Sequence, residues 1–193
     1  IDRADHQMSF YAATKKSTES MAHSYSYLFG LPITMLRFFT VYGPWGRPDM
    51  APMIFANAIL NEKPIKVFNY GNMKRDFTYI DDVVEAIFRC CYKRAFPSDD
   101  FDEMYPNPSI SKAPYRIFNV GNNDSIQLMD FISLLEKNLG KKADKKLLPL
   151  QKGDVISTFA NTKLIESWIS FKPNTKIDQG IKLFTKWYLN YYK

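Results

Sequence analysis

The sequence has few of the residues that staple or ligate. Its 193 residues include two cysteines, the neighbours Cys90 and Cys91, and two histidines, His6 and His23. Adjacent cysteines rarely bridge, so no disulfide framework is expected, and a reducing compartment, the cytoplasm, follows. Neither histidine stands at ligand spacing from a cysteine or from the other histidine, which argues against any metal site. The eight glycines never cluster as G-x-G-x-x-G, so no glycine-rich phosphate loop is present. No apolar run approaches the roughly 18 residues a membrane helix needs, which excludes membrane insertion by that route. The opening residues, IDRADHQMSF, begin without Met and contain no apolar signal core, and a fragment or processed chain is expected.

The composition is that of an ordinary globular protein, with 46% hydrophobic and 24% charged residues. The net charge is +6, part of it in the run KKADKK (Lys141 to Lys146), read as a solvated loop. Nucleic acid is not an expected partner, because the aromatics fall in periodic, core-like segments rather than among the basic residues. A basic chain suits an anionic small substrate.

Helical and extended patterns alternate along the chain. Tyr11 to Phe29 reads as a helix stopped by Gly30-Leu31-Pro32. Ile33 to Phe39 reads as a buried strand, VYGPWGRPDM as a loop, and Ala51 to Glu62 as a helix with Pro in its first turn. Ile65 to Phe68 and Lys74 to Ile80 are extended, and Asp81 is placed as the cap of a helix running to about Lys93. Residues 96–114 contain four of the eleven prolines and read as a surface excursion. Arg116 to Gly121 reads as a strand, Ser125 to Gly140 as an amphipathic helix, KLLPL as extended, and the remainder as two closing helices. The class is therefore α/β, with about four to six strands, too few for both halves of a dinucleotide-binding sheet.

Tyr11 and Lys15 stand four apart on one helix face. An ammonium one turn from a phenol favours the phenolate, the form that acts as a general base. The spacing alone also fits an exposed tyrosine beside a lysine.

Three stretches give this pair a context: FFTVYGPWGRPDMA, NYGNMKRDFTYIDDVVEAI and QKGDV. With them, from Asp2 to Tyr192, the chain resembles the extended short-chain dehydrogenase/reductases that modify nucleotide sugars. Among these it is similar to the UDP-glucuronate 4-epimerases of capsular polysaccharide type. The resemblance implies NAD as cofactor and a UDP-sugar as substrate. It makes Tyr11 the catalytic base and Lys15 the residue that tunes it and holds the nicotinamide ribose. Phe39 would touch the nicotinamide end through its backbone. Thr40 and Arg47 would hold the sugar carboxylate, Arg75 the diphosphate, Val67 and Phe68 the uracil, and Asp154 a ribose hydroxyl. Plainer roles stand beside these: loop decoration for Arg47, a surface ion pair with Asp76 for Arg75, core packing for Phe39 and Phe68, a strand end for Thr40, a turn for Asp154. A homodimer through the helix bearing Tyr11 is also implied.

The family's pyrophosphate loop, its acidic ribose ligand and the Ser/Thr that completes the catalytic triad have no counterpart in this sequence. The expected fold is thus the C-terminal part of a doubly wound Rossmann-like sheet with a small substrate-binding α+β subdomain. Residues 1–42 are read as a remnant of the nucleotide-binding domain and 43–75 as a substrate-binding segment. Residues 76–121 are read as a return to the nucleotide-binding sheet and 122–193 as the C-terminal substrate-binding subdomain. The chain alone is expected to be inactive, and its strands at Ile33 to Phe39 and Ile117 to Val120 to need partners from outside it. Rival activities on this scaffold are UDP-glucose 4-epimerase, UDP-glucuronate decarboxylase and dTDP-glucose dehydratase; a rival of another class is a non-catalytic binding module.

Overall fold

In chain order the elements are α1 (Phe10–Phe29), β1 (Ile33–Phe38), β2 (Thr40–Tyr42), α2 (Ala51–Leu60), β3 (Ile65–Val67), a 3-10 turn (Phe68–Gly71), β4 (Lys74–Tyr79), α3 (Ile80–Tyr92), β5 (Tyr115–Val120), β6 (Ser125–Gln127), α4 (Leu128–Leu139), β7 (Lys145–Leu147), α5 (Lys163–Ile169) and α6 (Ile177–Tyr192). The computed structural model describes residues 4–192 and divides into two compact units. The first comprises the described residues through Phe38, with Ala86–Val120 and Asn161–Phe171; the second comprises Phe39–Glu85, Gly121–Ala160 and the residues from Lys172 onward. The division cuts across the segments read from the sequence: residues 76–85 fall with 43–75, and residues 161–171 join the first unit. No helix among the described residues is long and apolar enough to cross a membrane.

In the first unit, α1 starts where the Ser9 hydroxyl accepts the Ala12 N–H at 3.1 Å. It ends at Gly30, whose φ of 64° is the left-handed conformation a helix stop requires. The strands β1 and β5 pair with each other in parallel, from Ile33 opposite Tyr115 to Phe38 opposite Val120. Among the described residues each is paired along one edge only, so the expectation of partner strands outside the chain concerns their other edges; Ala22 of α1 packs with Ala113, Tyr115 and Ile117. The proline-rich segment 96–114 is more than a surface excursion. Ser109, Ser111 and Ala113 are buried, and the Ser111 hydroxyl lies 2.7 Å from His23 Nε2 on α1.

The second unit contains a three-stranded sheet ordered β2-β4-β6 and the parallel pair β3-β7. Its core places α4 against α2 and α6, with Phe77 stacked on Phe131 at 4.3 Å. Three local readings change here. Val41 and Tyr42, read as loop, belong to β2 because β4 offers a partner edge. Ser125 to Gln127, read as the start of a helix, pairs antiparallel with Lys74–Asp76, so α4 begins at Leu128. The helix thought to be capped by Asp81 begins at Ile80; Asp81 and Asp82 lie in its first turn, where negative charge suits the helix dipole. Asp82 also accepts the Thr175 N–H at 3.0 Å.

The KKADKK run is not simply solvated. Glu136, buried on α4, accepts Lys145 Nζ, Lys142 Nζ (3.2 Å) and the Ala143 N–H (3.0 Å). Burial alone would raise its pKa, but these partners win and hold it down at about 2, against 4.5 for a free glutamate. Because the folded value is depressed, the stabilisation is present above the unfolded pKa and is lost as pH falls toward 2. Glu136→Gln should therefore cost on the order of 2 kcal/mol at pH 7, with a difference from wild type that shrinks as pH drops from 5 to 2. Urea unfolding at several pH values measures it; a constant difference across that range would contradict the assignment.

Gly180 on α6 has no room for a side chain, because a methyl group there would overlap the ring and hydroxyl of buried Tyr42. That hydroxyl has no hydrogen-bond partner among the described residues, and burial pushes its pKa up. Gly180→Ala should cost about 1–3 kcal/mol by overpacking, outweighing the helix-propensity gain of about 1 kcal/mol. Tyr42→Phe, which removes the clashing oxygen, should recover part of the lost melting temperature; no recovery would place the strain elsewhere.

Candidate functional site

In the first unit, the N-cap at Ser9 sets the register that places Tyr11 and Lys15 on one face of α1. Lys15 Nζ sits 5.4 Å from the Tyr11 ring centroid. Tyr11 is 65% exposed and borders a cleft of about 300 Å³ that Lys15, Glu19 and Arg37 also line. Glu19 receives Arg37 through two hydrogen bonds (2.6 and 2.8 Å) and Lys16 at 3.1 Å. Burial raises the Glu19 pKa, yet the two cations together bring it below the ordinary glutamate value. Two of the nearby cations are thus engaged by one carboxylate, while Lys15 faces the Tyr11 ring.

The second unit has its own pocket of about 270 Å³. Four residues read from the sequence line it: Thr40, Phe68, Arg75 and Asp154. Strand alternation brings Arg75 and Phe77 of β4 to the pocket and turns Asp76 and Thr78 to the other face. Thr40 stands opposite Phe77 in the β2-β4 register. Arg75 Nη2 pairs with Asp154 Oδ1 at 2.8 Å, and Nη1 donates to the carbonyls of Lys74 (2.9 Å) and Ile156 (3.3 Å). The guanidinium is therefore anchored and aimed. Asp154 combines two readings, since its N–H closes a turn onto the Gln151 carbonyl at 3.2 Å while its carboxylate meets Arg75.

The surface ion pair of Arg75 with Asp76, the plainer alternative for Arg75, does not form. Asp76 is fully buried: its carboxylate accepts the N–H groups of Asn122 (2.8 Å) and Ala160 (3.0 Å), and its own N–H donates to the Thr158 hydroxyl at 3.1 Å. Burial pushes its carboxyl up, and the backbone donors oppose that shift. Together these contacts tie segment 154–160, with Asp154, along the edge of β4.

Val67, Phe39 and Arg47 do not line the pocket. Val67, the last residue of β3, is fully buried and stands opposite Leu147 in the β3-β7 register. Phe39 is half-buried between β1 and β2. Arg47 is exposed and clasps Asp49 through two hydrogen bonds, 3.1 and 2.9 Å. The residue missed from the sequence is Lys66, which does line the pocket. Period-two alternation would have found it: with Ile65 and Val67 buried, Lys66 must point to the other face.

A profile described as "NAD dependent epimerase/dehydratase family" matches residues 2–101. The chain is 54% identical over 192 residues to Protein CapI of Staphylococcus aureus, covering 100% of itself and 58% of that protein. It is 45% identical over 196 residues to a probable UDP-glucuronate 4-epimerase of Rhizobium meliloti, covering 100% of itself and 57% of the relative. Among solved structures, UDP-glucuronic acid 4-epimerase from Bacillus cereus in complex with UDP-glucuronic acid and NAD superposes with a TM-score of 0.80 at 30% identity, over 95% of this chain and 53% of that one. The chain thus spans little more than half the length of the relatives it matches.

Proposed function

The chain belongs to the NAD dependent epimerase/dehydratase family, and from that premise we propose that it forms the substrate-binding and base-carrying part of a UDP-glucuronate 4-epimerase. The observation that carries the reading is the pocket of the second unit. There Thr40, Phe68, Arg75 and Asp154, from four separate parts of the sequence, converge with chemistry suited to a nucleoside diphosphate sugar: an aromatic wall for a base, a carboxylate for ribose hydroxyls, and a fixed guanidinium for phosphate. Val67, read with Phe68 as bordering the uracil, is buried outside the pocket lining, and Lys66 adds a second cation.

Tyr11 takes the proton from the sugar 4-hydroxyl and returns it after the 4-keto sugar has turned over. Lys15, whose ammonium sits over the Tyr11 ring, would donate to a ribose hydroxyl of the cofactor, and the Phe39 backbone would border its nicotinamide end. NAD supplies the oxidation and re-reduction at C4. The exposed Tyr11 beside Lys15 over a cleft fits the nicotinamide-ribose end of NAD; the 193 residues contain no glycine-rich loop for its pyrophosphate. Thr40 and Arg47 hold the sugar carboxylate. To do so Arg47 exchanges Asp49 for the ligand, an exchange made easy by the solvent exposure of both partners. A homodimer contact fits α1, where Met21, Tyr25 and Leu28 share an exposed face.

Titration calorimetry of the 193-residue chain tests the pocket. UDP should bind saturably and NAD should not, and Arg75→Ala should weaken UDP about 10–100-fold through loss of charge-assisted hydrogen bonds. Unchanged UDP affinity in that variant, or micromolar NAD binding, would overturn the assignment.

A further inference from the structure

Arg47 lies in the loop that joins β2 to α2, and this loop is held in one shape from outside the pocket. Gly43 has φ 142°, with the Ile80 side chain where a Cβ would sit. Two residues on, Trp45 is in the left-handed region at φ 61°, a strained conformation for a bulky side chain unless its surroundings enforce it. Those surroundings are aromatic. The indole meets Tyr191 edge-to-face at 4.8 Å and Trp187 at 5.5 Å, and those two rings stack on each other at 5.6 Å on α6. Trp45 is nevertheless 72% exposed, so burial of apolar area is a poor reason for its position. The Gly46 N–H then closes onto the Gly43 carbonyl (3.3 Å) and the Met50 N–H onto the Arg47 carbonyl (3.1 Å), leaving Arg47 two residues from the docked ring.

We infer that Trp45 is a positioning residue: docked on Trp187 and Tyr191, it fixes the loop that presents Arg47 and thereby sets the preference for a carboxylated sugar. The inference rests on the reading of Arg47 as the carboxylate anchor. A guanidinium forks onto a carboxylate in one geometry, and an ordered loop loses less freedom on reaching it than a mobile one. The gain falls on the carboxylated ligand alone, because UDP-glucose offers Arg47 nothing to fork onto.

The readout is the ratio of affinities for UDP-glucuronate and UDP-glucose, measured on the 193-residue chain. Wild type should favour the glucuronate. Trp45→Ala should reduce the ratio about tenfold. Trp45→Gly, which relieves the backbone strain but also removes the ring, should reduce it equally, and Trp45→Phe should restore most of it. Tyr191→Ala, which removes the other side of the contact at an exposed position, should act in the same direction. A Trp45→Ala or Trp45→Gly protein that keeps the wild-type ratio overturns the inference and leaves Arg47 as anchor intact. A wild type with no preference for the carboxylate removes the anchor, and the inference falls with it.

Discussion

Tyr11→Phe should lower the turnover of UDP-glucuronate by the proposed enzyme about 10²–10⁴-fold, the range expected when a general base is removed. The substitution isolates the chemistry. Tyr11 is largely exposed, its ring faces Lys15, and its backbone carbonyl accepts the Thr14 hydroxyl at 2.8 Å. Phenylalanine keeps the ring, the helix register set by Ser9 and the shape of the cleft, and removes one oxygen. Melting temperature should be unchanged and KM should move far less than kcat, the pattern of an interaction made in the transition state. A variant within a few-fold of wild-type kcat would place the base elsewhere and reduce the Tyr11–Lys15 pair to an exposed helical contact.

Asp76→Ala should be among the most damaging single changes to the fold, costing about 2–5 kcal/mol, since two backbone N–H groups, one buried and one part-buried, lose their acceptor. Those groups belong to Asn122 and Ala160, so the loss should also loosen segment 154–160 and, through it, Asp154 in the pocket. UDP affinity should fall along with stability, although Asp76 does not line the pocket. Asp76→Asn, which keeps one carbonyl oxygen, should fall between wild type and Asp76→Ala. Urea denaturation measures the first effect and calorimetry the second; a neutral Asp76→Ala would show that water or relaxation satisfies the donors.

What could be read from the sequence follows the range of the interactions involved. The helix from Phe10 to Phe29 is legible because its start, its stop and its Tyr–Lys spacing are all local. So are β1, α2 with its early proline, and the alternating helices and strands of the family fold. The strands β2 and β6 were not legible, because each is three residues long and exists through pairing with β4. Arg75 shows the same limit at the site. Its neighbour Asp76 suggested an ion pair, but strand alternation sends the two side chains to opposite faces, and the real partner is Asp154, distant in sequence. Lys66 is the opposite case: its signal is local, in the alternation of Ile65, Lys66 and Val67, which buries the apolar Val67 and turns the lysine to the pocket.

The proposed reaction is an epimerisation at C4 of a carboxylated UDP-sugar. Proton NMR of UDP-glucuronate incubated with the proposed enzyme and NAD should show UDP-galacturonate growing in to an equilibrium mixture with the carboxylate retained; release of UDP-xylose, or an unchanged spectrum, would rule the reaction out.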